Sequence, residues 1–210
     1  MIYIYLHGYN SGPKSVKAKL FKKLFTDRKF KLHIPDLNGK NFSELTLTGQ
    51  METIETIMRE NKGPVTLIGS SMGGFISCML AEKHPRIKKL VLLAPAFGFI
   101  PLQKKLLGKK GIADWKKNGF MIVQHNYYNE KRNLNFTFFT DCNKYEKFKF
   151  SRNLPVLIFH GLEDQTVPYQ VSLDYFKSHP QSSLYLMQTD HKLNDPDNMM
   201  GTITAKFLKI

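Results

Sequence analysis

The chain has 210 residues, 42% hydrophobic and 23% charged, with 14 glycines and 10 prolines; this suits one folded domain and excludes disordered, collagenous and low-complexity classes. Its 31 Lys and Arg against 17 Asp and Glu give a formal charge of +14. The surplus is spread before residue 151 as lysine singles and pairs without a long basic run, which reads as a solvated lysine-rich face and gives no reason to expect nucleic acid as a partner.

The chain opens on Ile2–Leu6, an apolar run that predicts a first strand and is too short for the core of a signal peptide. Leu6-His7-Gly8-Tyr9-Asn10-Ser11 follows it. A turn at Gly8 would present the backbone N–H of Tyr9, or of Asn10, to a site at the strand's end; an ordinary strand-ending turn, with His7 holding the loop through its ring nitrogens, is the alternative. Val16, Leu20 and Leu24 with Phe21 and Phe25 recur at helical spacing, as do Leu47, Met51, Ile54 and Met58, and these stripes are expected to face a core. Between them Phe30–Ile34 is a second strand candidate, and Val65–Gly69 is a third.

Gly69-Ser70-Ser71-Met72-Gly73-Gly74 joins that third strand to a helix marked by Phe75, Ile76, Met79 and Leu80. A serine on a sharp strand-to-helix turn needs small neighbours two residues to each side, and Gly69 and Gly73 supply them. Ser71 is thus a candidate nucleophile, with the amide of Met72 as one donor of an oxyanion hole; a purely structural glycine-rich turn is the bland alternative.

Leu90–Ala94 is the fourth strand candidate. The uncharged stretch Leu90–Leu102 around it contains Pro95, Gly98 and Pro101 and falls short of the roughly 20 residues a bilayer span requires, so no transmembrane segment is expected. From Phe97 to Phe150 the strand–helix alternation lapses, while the segment gathers Trp115, Phe120, Tyr127, Tyr128, Phe136 and Phe138. We read residues 97–150 as a cap inserted over the carboxyl edge of the sheet, where such folds keep their ligand crevices; a sheet extension with a hairpin at Leu134–Phe139 is the alternative. Cys78 and Cys142 are too few for a disulfide framework and lack metal-ligand spacing, which suggests a cytoplasmic protein without metal or cofactor.

Val156–His160 and Leu184–Met187 are the last two strand candidates, and Met200, Ile203 and Phe207 mark a closing helix. The first strand runs into His160-Gly161-Leu162-Glu163-Asp164-Gln165-Thr166-Val167-Pro168 and the second into Thr189-Asp190-His191-Lys192. An unassisted serine hydroxyl is a weak nucleophile, so Ser71 requires a base, and the base an acid that fixes its tautomer. His191 and Asp164 fit these roles in the chain order Ser, Asp, His. Glu163 and Asp190 are competing carboxylates in poorer positions. His33, His84, His125 and His179 read as surface residues and His160 as a strand-end hydrogen bonder. The whole predicts an α/β class chain with an α/β-hydrolase fold: a six-stranded, mostly parallel sheet with helices on both faces, in one domain spanning residues 1–210.

The opening Tyr5-Leu6-His7-Gly8-Tyr9-Asn10-Ser11-Gly12-Pro13-Lys14-Ser15, Lys17-Ala18 and the Ser71 elbow resemble the small bacterial esterases of the YqiA/YcfP kind. Asn41-Phe42-Ser43, the elbow, the Asp164 loop and Asp190-His191 are similar to abhydrolase-type acyl-protein thioesterases. The resemblance covers the sheet and not residues 97–150. It implies a serine esterase or thioesterase acting on a small-molecule acyl ester or thioester, with the triad on Ser71, Asp164 and His191. A catalytically idle protein that binds a small ligand in the same pocket is the competing class, and it predicts loss of a triad residue type, whereas all three are present.

Overall fold

The apolar runs become strands of one sheet in the structure, a computed structural model that describes residues 1–194 and 198–210. In chain order the elements are β1 (Ile2–Leu6), α1 (Val16–Asp27), β2 (Leu32–His33), a 3-10 turn (Phe42–Glu44), α2 (Leu47–Glu60), β3 (Val65–Ser70), α3 (Met72–Lys83) and β4 (Ile87–Leu93). Then come α4 (Phe99–Asn118), β5 (Phe120–His125), β6 (Glu130–Asn135), α5 (Phe136–Asn143), β7 (Val156–Gly161), α6 (Gln170–Ser178), β8 (Ser182–Met187) and α7 (Met199–Leu208). Among the described residues six strands pair in the order β2-β1-β3-β4-β7-β8, each neighbouring pair parallel.

Alternating side chains point to opposite faces of a strand, and here both faces are covered. Ile4, Leu6, Leu67 and Leu92 lie in one apolar layer with residues of α2 and α3, while Tyr3, Tyr5, Ile68 and Val91 lie in a second with Phe21 and Phe25 of α1 and Met200 and Leu208 of α7. The expected six-stranded parallel sheet with helices on both faces is therefore present. Registers Leu6↔Gly69, Ser70↔Leu93 and Gly161↔Met187 bring the strand ends level, so the loops after β1, β3, β7 and β8 emerge along one edge.

Local departures from the sequence reading have local causes. The second strand is Leu32–His33 rather than Phe30–Ile34, because the Phe30 N–H donates back to the Phe25 carbonyl at the end of α1 and Pro35, which has no N–H, follows Ile34. Val16 is 79% exposed although it continues the α1 stripe, because the buried face of that helix centres on Ala18, Phe21, Leu24 and Phe25. His125 and His179 are buried and not on the surface: the His179 ring stacks on Tyr175 at 3.8 Å, and His125 packs edge-on against Phe42 at 4.6 Å.

Residues 99–143 form a long helix, a hairpin and a short helix instead of a further strand in the main sheet. α4 bends at Gly108, whose φ of 65° and ψ of 174° lie outside the helical region. The hairpin pairs Phe120–His125 with Glu130–Asn135 as a separate antiparallel sheet, so Leu134–Phe139 is not a hairpin; Phe136, Phe138, Phe139 and Cys142 instead sit at helical spacing in α5. Trp115 Nε1 donates to the Leu134 carbonyl at 2.9 Å and its ring packs on Phe136 and Phe139, which closes a small aromatic core. Asp141 of α5 accepts from the Thr48 N–H and hydroxyl, both at 2.8 Å, placing a carboxylate at the N-terminus of α2 where the helix dipole favours it. On the other side, Asn10 Nδ2 donates to the Gln124 carbonyl at 2.6 Å and the Tyr128 hydroxyl to Asp36 at 3.0 Å, so the hairpin is tied to the loops after β1 and β2.

Candidate active site

Ser71 stands between β3 and α3 with φ 53° and ψ −116°, a conformation that a residue with a side chain adopts only when its surroundings impose it. The surroundings are visible. The Ser71 N–H donates to the Leu93 carbonyl at 2.8 Å, and its own carbonyl accepts from the N–H groups of Gly74 and Ala96 at 2.9 and 3.0 Å. At Gly73 a Cβ would lie 2.7 Å from the Leu6 carbonyl carbon, and at Gly69 it would lie 2.6 Å from the Gly74 nitrogen, so neither position admits any other residue without movement of backbone. Of α3, ten residues from Met72 to Ala81 are buried, which makes the helix behind the turn a rigid support.

Asp164 follows β7 by three residues and its side chain is 0% exposed. Oδ1 accepts the N–H groups of Thr166 and Val167 at 2.9 and 2.8 Å; Oδ2 accepts His191 Nδ1 at 2.6 Å and lies 3.2 Å from His160 Nε2. Burial alone would push this carboxyl up, yet the donors from His160, His191 and Val167 outweigh it and hold the group well below the usual carboxylate range. With Nδ1 engaged, His191 keeps Nε2 for other work, and its side chain is 24% exposed toward the cavity.

Two supports of this pair were not read from the sequence. His160 is buried, its Nε2 also bonded to the Val167 carbonyl at 2.9 Å and its Nδ1 to the Ser172 hydroxyl at 2.7 Å. A carbonyl only accepts, so Nε2 carries the hydrogen and Nδ1 accepts from Ser172. Its place at a strand end was legible, but the contact with Asp164 was not. Lys17 of α1 reaches 174 positions along the chain, its Nζ donating to the His191 carbonyl at 3.0 Å and to the Lys192 carbonyl at 3.2 Å. Burial pulls this ammonium down to about 8, against the opposing pull of Asp164 and Asp190. The folded chain thus binds fewer protons than the unfolded chain between about pH 8 and 10.4, and its stability should rise with pH across that window. A Lys17→Met variant should lack this rise when urea unfolding is compared at both ends of the window.

The competing carboxylates are accounted for. Asp190 Oδ1 accepts the Lys192 N–H at 2.9 Å and caps its own turn, and Glu163 is exposed at the cavity wall. His7 holds the loop after β1: Nδ1 donates to the Gly8 carbonyl at 3.0 Å and Nε2 accepts the Leu37 N–H at 2.9 Å. Tyr9, Met72, Ser71 and His191 all border one cavity of about 710 Å³ at the carboxyl edge of the sheet. The Tyr9 ring stacks on Phe138 at 5.4 Å, and burial raises its phenol well above the ordinary value, so the hydroxyl stays protonated. Phe99, Leu102 and Gln103 of α4 and Asn126 of the hairpin turn complete part of the wall. Cys78 and Cys142 are buried free thiols, and burial raises both well above the ordinary thiol value. Among the described residues no group of three His, Cys, Asp or Glu side chains could hold a metal, and no helix is long and apolar enough to cross a membrane.

The sequence profile of the family described as Uncharacterised protein family (UPF0227) matches residues 2–208. Among solved structures, mouse alpha/beta hydrolase domain-containing protein 10 aligns with TM-score 0.83 at 21% identity, over 99% of this chain and 89% of that one. A protein of Agrobacterium vitis S4 aligns with TM-score 0.86 at 25% identity over 98% and 87%. Est1E of Butyrivibrio proteoclasticus, solved with ferulic acid bound, aligns with TM-score 0.80 at 18% identity over 99% and 88%. The fold is that of the α/β hydrolases.

Proposed function

The chain belongs to the UPF0227 family, and from that premise we propose that it hydrolyses carboxylic esters or thioesters through an acyl-Ser71 intermediate. The observation that carries the reading is the 2.6 Å bond between Asp164 and His191 Nδ1 at the same cavity as a serine held at φ 53°. In this reading His191 Nε2 takes the hydroxyl proton of Ser71 as Oγ attacks the acyl carbon, while Asp164 stabilises the imidazolium. The N–H groups of Tyr9 and Met72 receive the oxyanion; that of Met72 opens α3 and has no partner within the helix. His191 returns the proton to the leaving oxygen or sulfur, and a water, deprotonated by the same nitrogen, releases the acid and restores Ser71. We read residues 97–150 as the cap that sets substrate choice, and the two free thiols fit a cytoplasmic setting.

Hydrolysis of p-nitrophenyl esters from acetate to palmitate tests this directly. Turnover at one or more chain lengths, absent with Ser71→Ala, is the expected result. Silence at every length would favour the ligand-binding class.

His160 is a positioning residue in this scheme. His160→Phe keeps a ring in place but removes one donor from Asp164 and leaves the Ser172 hydroxyl and Val167 carbonyl unpaired, so kcat should fall about ten-fold with KM little changed. His160→Gln, which retains an N–H, should recover part of the loss, and steady-state kinetics of the two variants decide it.

A further inference from the structure

The walls of the cavity differ in chemistry, and the difference bears on the leaving group; the step rests on the hydrolase reading above. A general acid must touch the atom it protonates, so the leaving group lies on the His191 side and the acyl group on the other. Sheet order separates these sides: β7 and β8, with their loops, lie beyond β4, whereas β1 and β3 carry Tyr9 and Ser71. The β7 and β8 loops line the cavity with Glu163, Gln165, Thr166, Asp190 and Lys192. Away from them the wall carries no charge: Tyr9, Met72, Ala96, Phe99 and Leu102 line it, with the amides of Asn10, Gln103 and Asn126 among them.

Two observations narrow the polar side. Among the described residues the side chains of Glu163, Gln165 and Thr166 make no hydrogen bond within the protein, although each lines the cavity, so their capacity is left for a ligand or water. The charge there is two carboxylates against the Lys192 ammonium, with Lys17 occupied by the His191 and Lys192 carbonyls, so the +14 of the whole chain is not concentrated where the leaving group sits. Carboxylates accept, an amide does both, and a hydroxyl does both. A leaving group carrying several neutral hydroxyls satisfies them, whereas a phosphate-bearing thiol would meet a wall of net negative charge, two carboxylates against one ammonium.

We propose that the substrate is an apolar acyl ester of a neutral polyol, glycerol or a sugar, whose hydroxyls are held by Glu163, Gln165 and Thr166. The test compares monooctanoylglycerol, an octanoyl glucose monoester, ethyl octanoate and octanoyl-CoA, by kcat/KM on the wild-type chain and by calorimetric binding to Ser71→Ala. One or both polyol esters should exceed ethyl octanoate and octanoyl-CoA by at least about ten-fold, and the glycerol and glucose arms distinguish the two polyols. The ratio of polyol to ethyl ester should fall about ten-fold in the double variant Glu163→Ala, Gln165→Ala, both residues being exposed and outside the core. Equal handling of ethyl and polyol esters, or preference for octanoyl-CoA, overturns the proposal. Calorimetry reads the preference without turnover: polyol selectivity in a chain with no Ser71-dependent hydrolysis would sink the hydrolase reading and leave only a polyol-ester binding site, whereas Ser71-dependent hydrolysis without polyol selectivity would sink this proposal alone.

Discussion

Replacing Ser71 with alanine is expected to reduce ester hydrolysis by at least about 10⁴-fold while leaving the fold intact. The loss is large because the attacking oxygen itself is removed from a position fixed by backbone: the Leu93, Gly74 and Ala96 bonds and the crowding at Gly69 and Gly73 are specific to this turn. Stability should change little, since among the described residues the Ser71 hydroxyl makes no hydrogen bond and alanine meets the same backbone conformation. Ser71→Gly sharpens the test. Glycine tolerates φ 53° far better, so this variant should be equally inactive yet more stable by about 1 kcal/mol, as read by urea unfolding. A catalytic serine held in strain has that signature; a serine in an ordinary turn does not.

Asp164→Asn is the second large effect. The carboxylate accepts from the N–H groups of Thr166, Val167 and His191 and faces that of His160, whereas asparagine offers one acceptor oxygen and turns an NH₂ toward donors. His191 would lose the partner that fixes Nδ1–H and stabilises its charged form, and kcat should fall about 10³- to 10⁴-fold. Mispaired donors around a buried group should also cost roughly 2–4 kcal/mol of stability. The pH dependence gives an independent reading. The folded-state carboxyl is held well below its unfolded value near 3.9, so its stabilisation is complete above that value and is lost as pH falls below it. Thermal melts from pH 7 to 3 should show the wild-type chain beginning to lose this increment below about pH 4 and Asp164→Asn having none to lose.

The strands and the elbow were legible because their signals are local. A continuous run such as Val65–Ile68 followed by Gly-Ser-Ser-Met-Gly specifies a buried strand and a tight turn within ten residues, and the loops ending in Asp164 and His191 follow their strands in the same way. The supports of the site were not legible, because each depends on elements far apart in the chain. Lys17 meets the His191 loop only because α1 and α7 cover the same face of the sheet; Lys17-Ala18 belongs to the motif that carries the family resemblance, but nothing in the sequence ties it to His191. Likewise His125 and His179 are neighbours of polar residues in sequence, and only packing against Phe42 and Tyr175 buries them. Residues 97–150 resisted for another reason. Aromatics at positions 136, 138 and 139 satisfy strand and helix spacing alike, and the choice fell to helix through contacts with Trp115, Tyr9 and Phe99.

The most direct test of the account is covalent. A fluorophosphonate transfers its phosphonyl group to an activated serine with loss of fluoride, and peptide mass mapping then locates the adduct. One adduct per chain is expected, on the peptide containing Ser71, and it should be absent from His191→Ala as well as from Ser71→Ala. An unlabelled wild-type chain, or an adduct that forms on another residue and persists in both variants, would contradict the assignment of Ser71 as a nucleophile activated by His191.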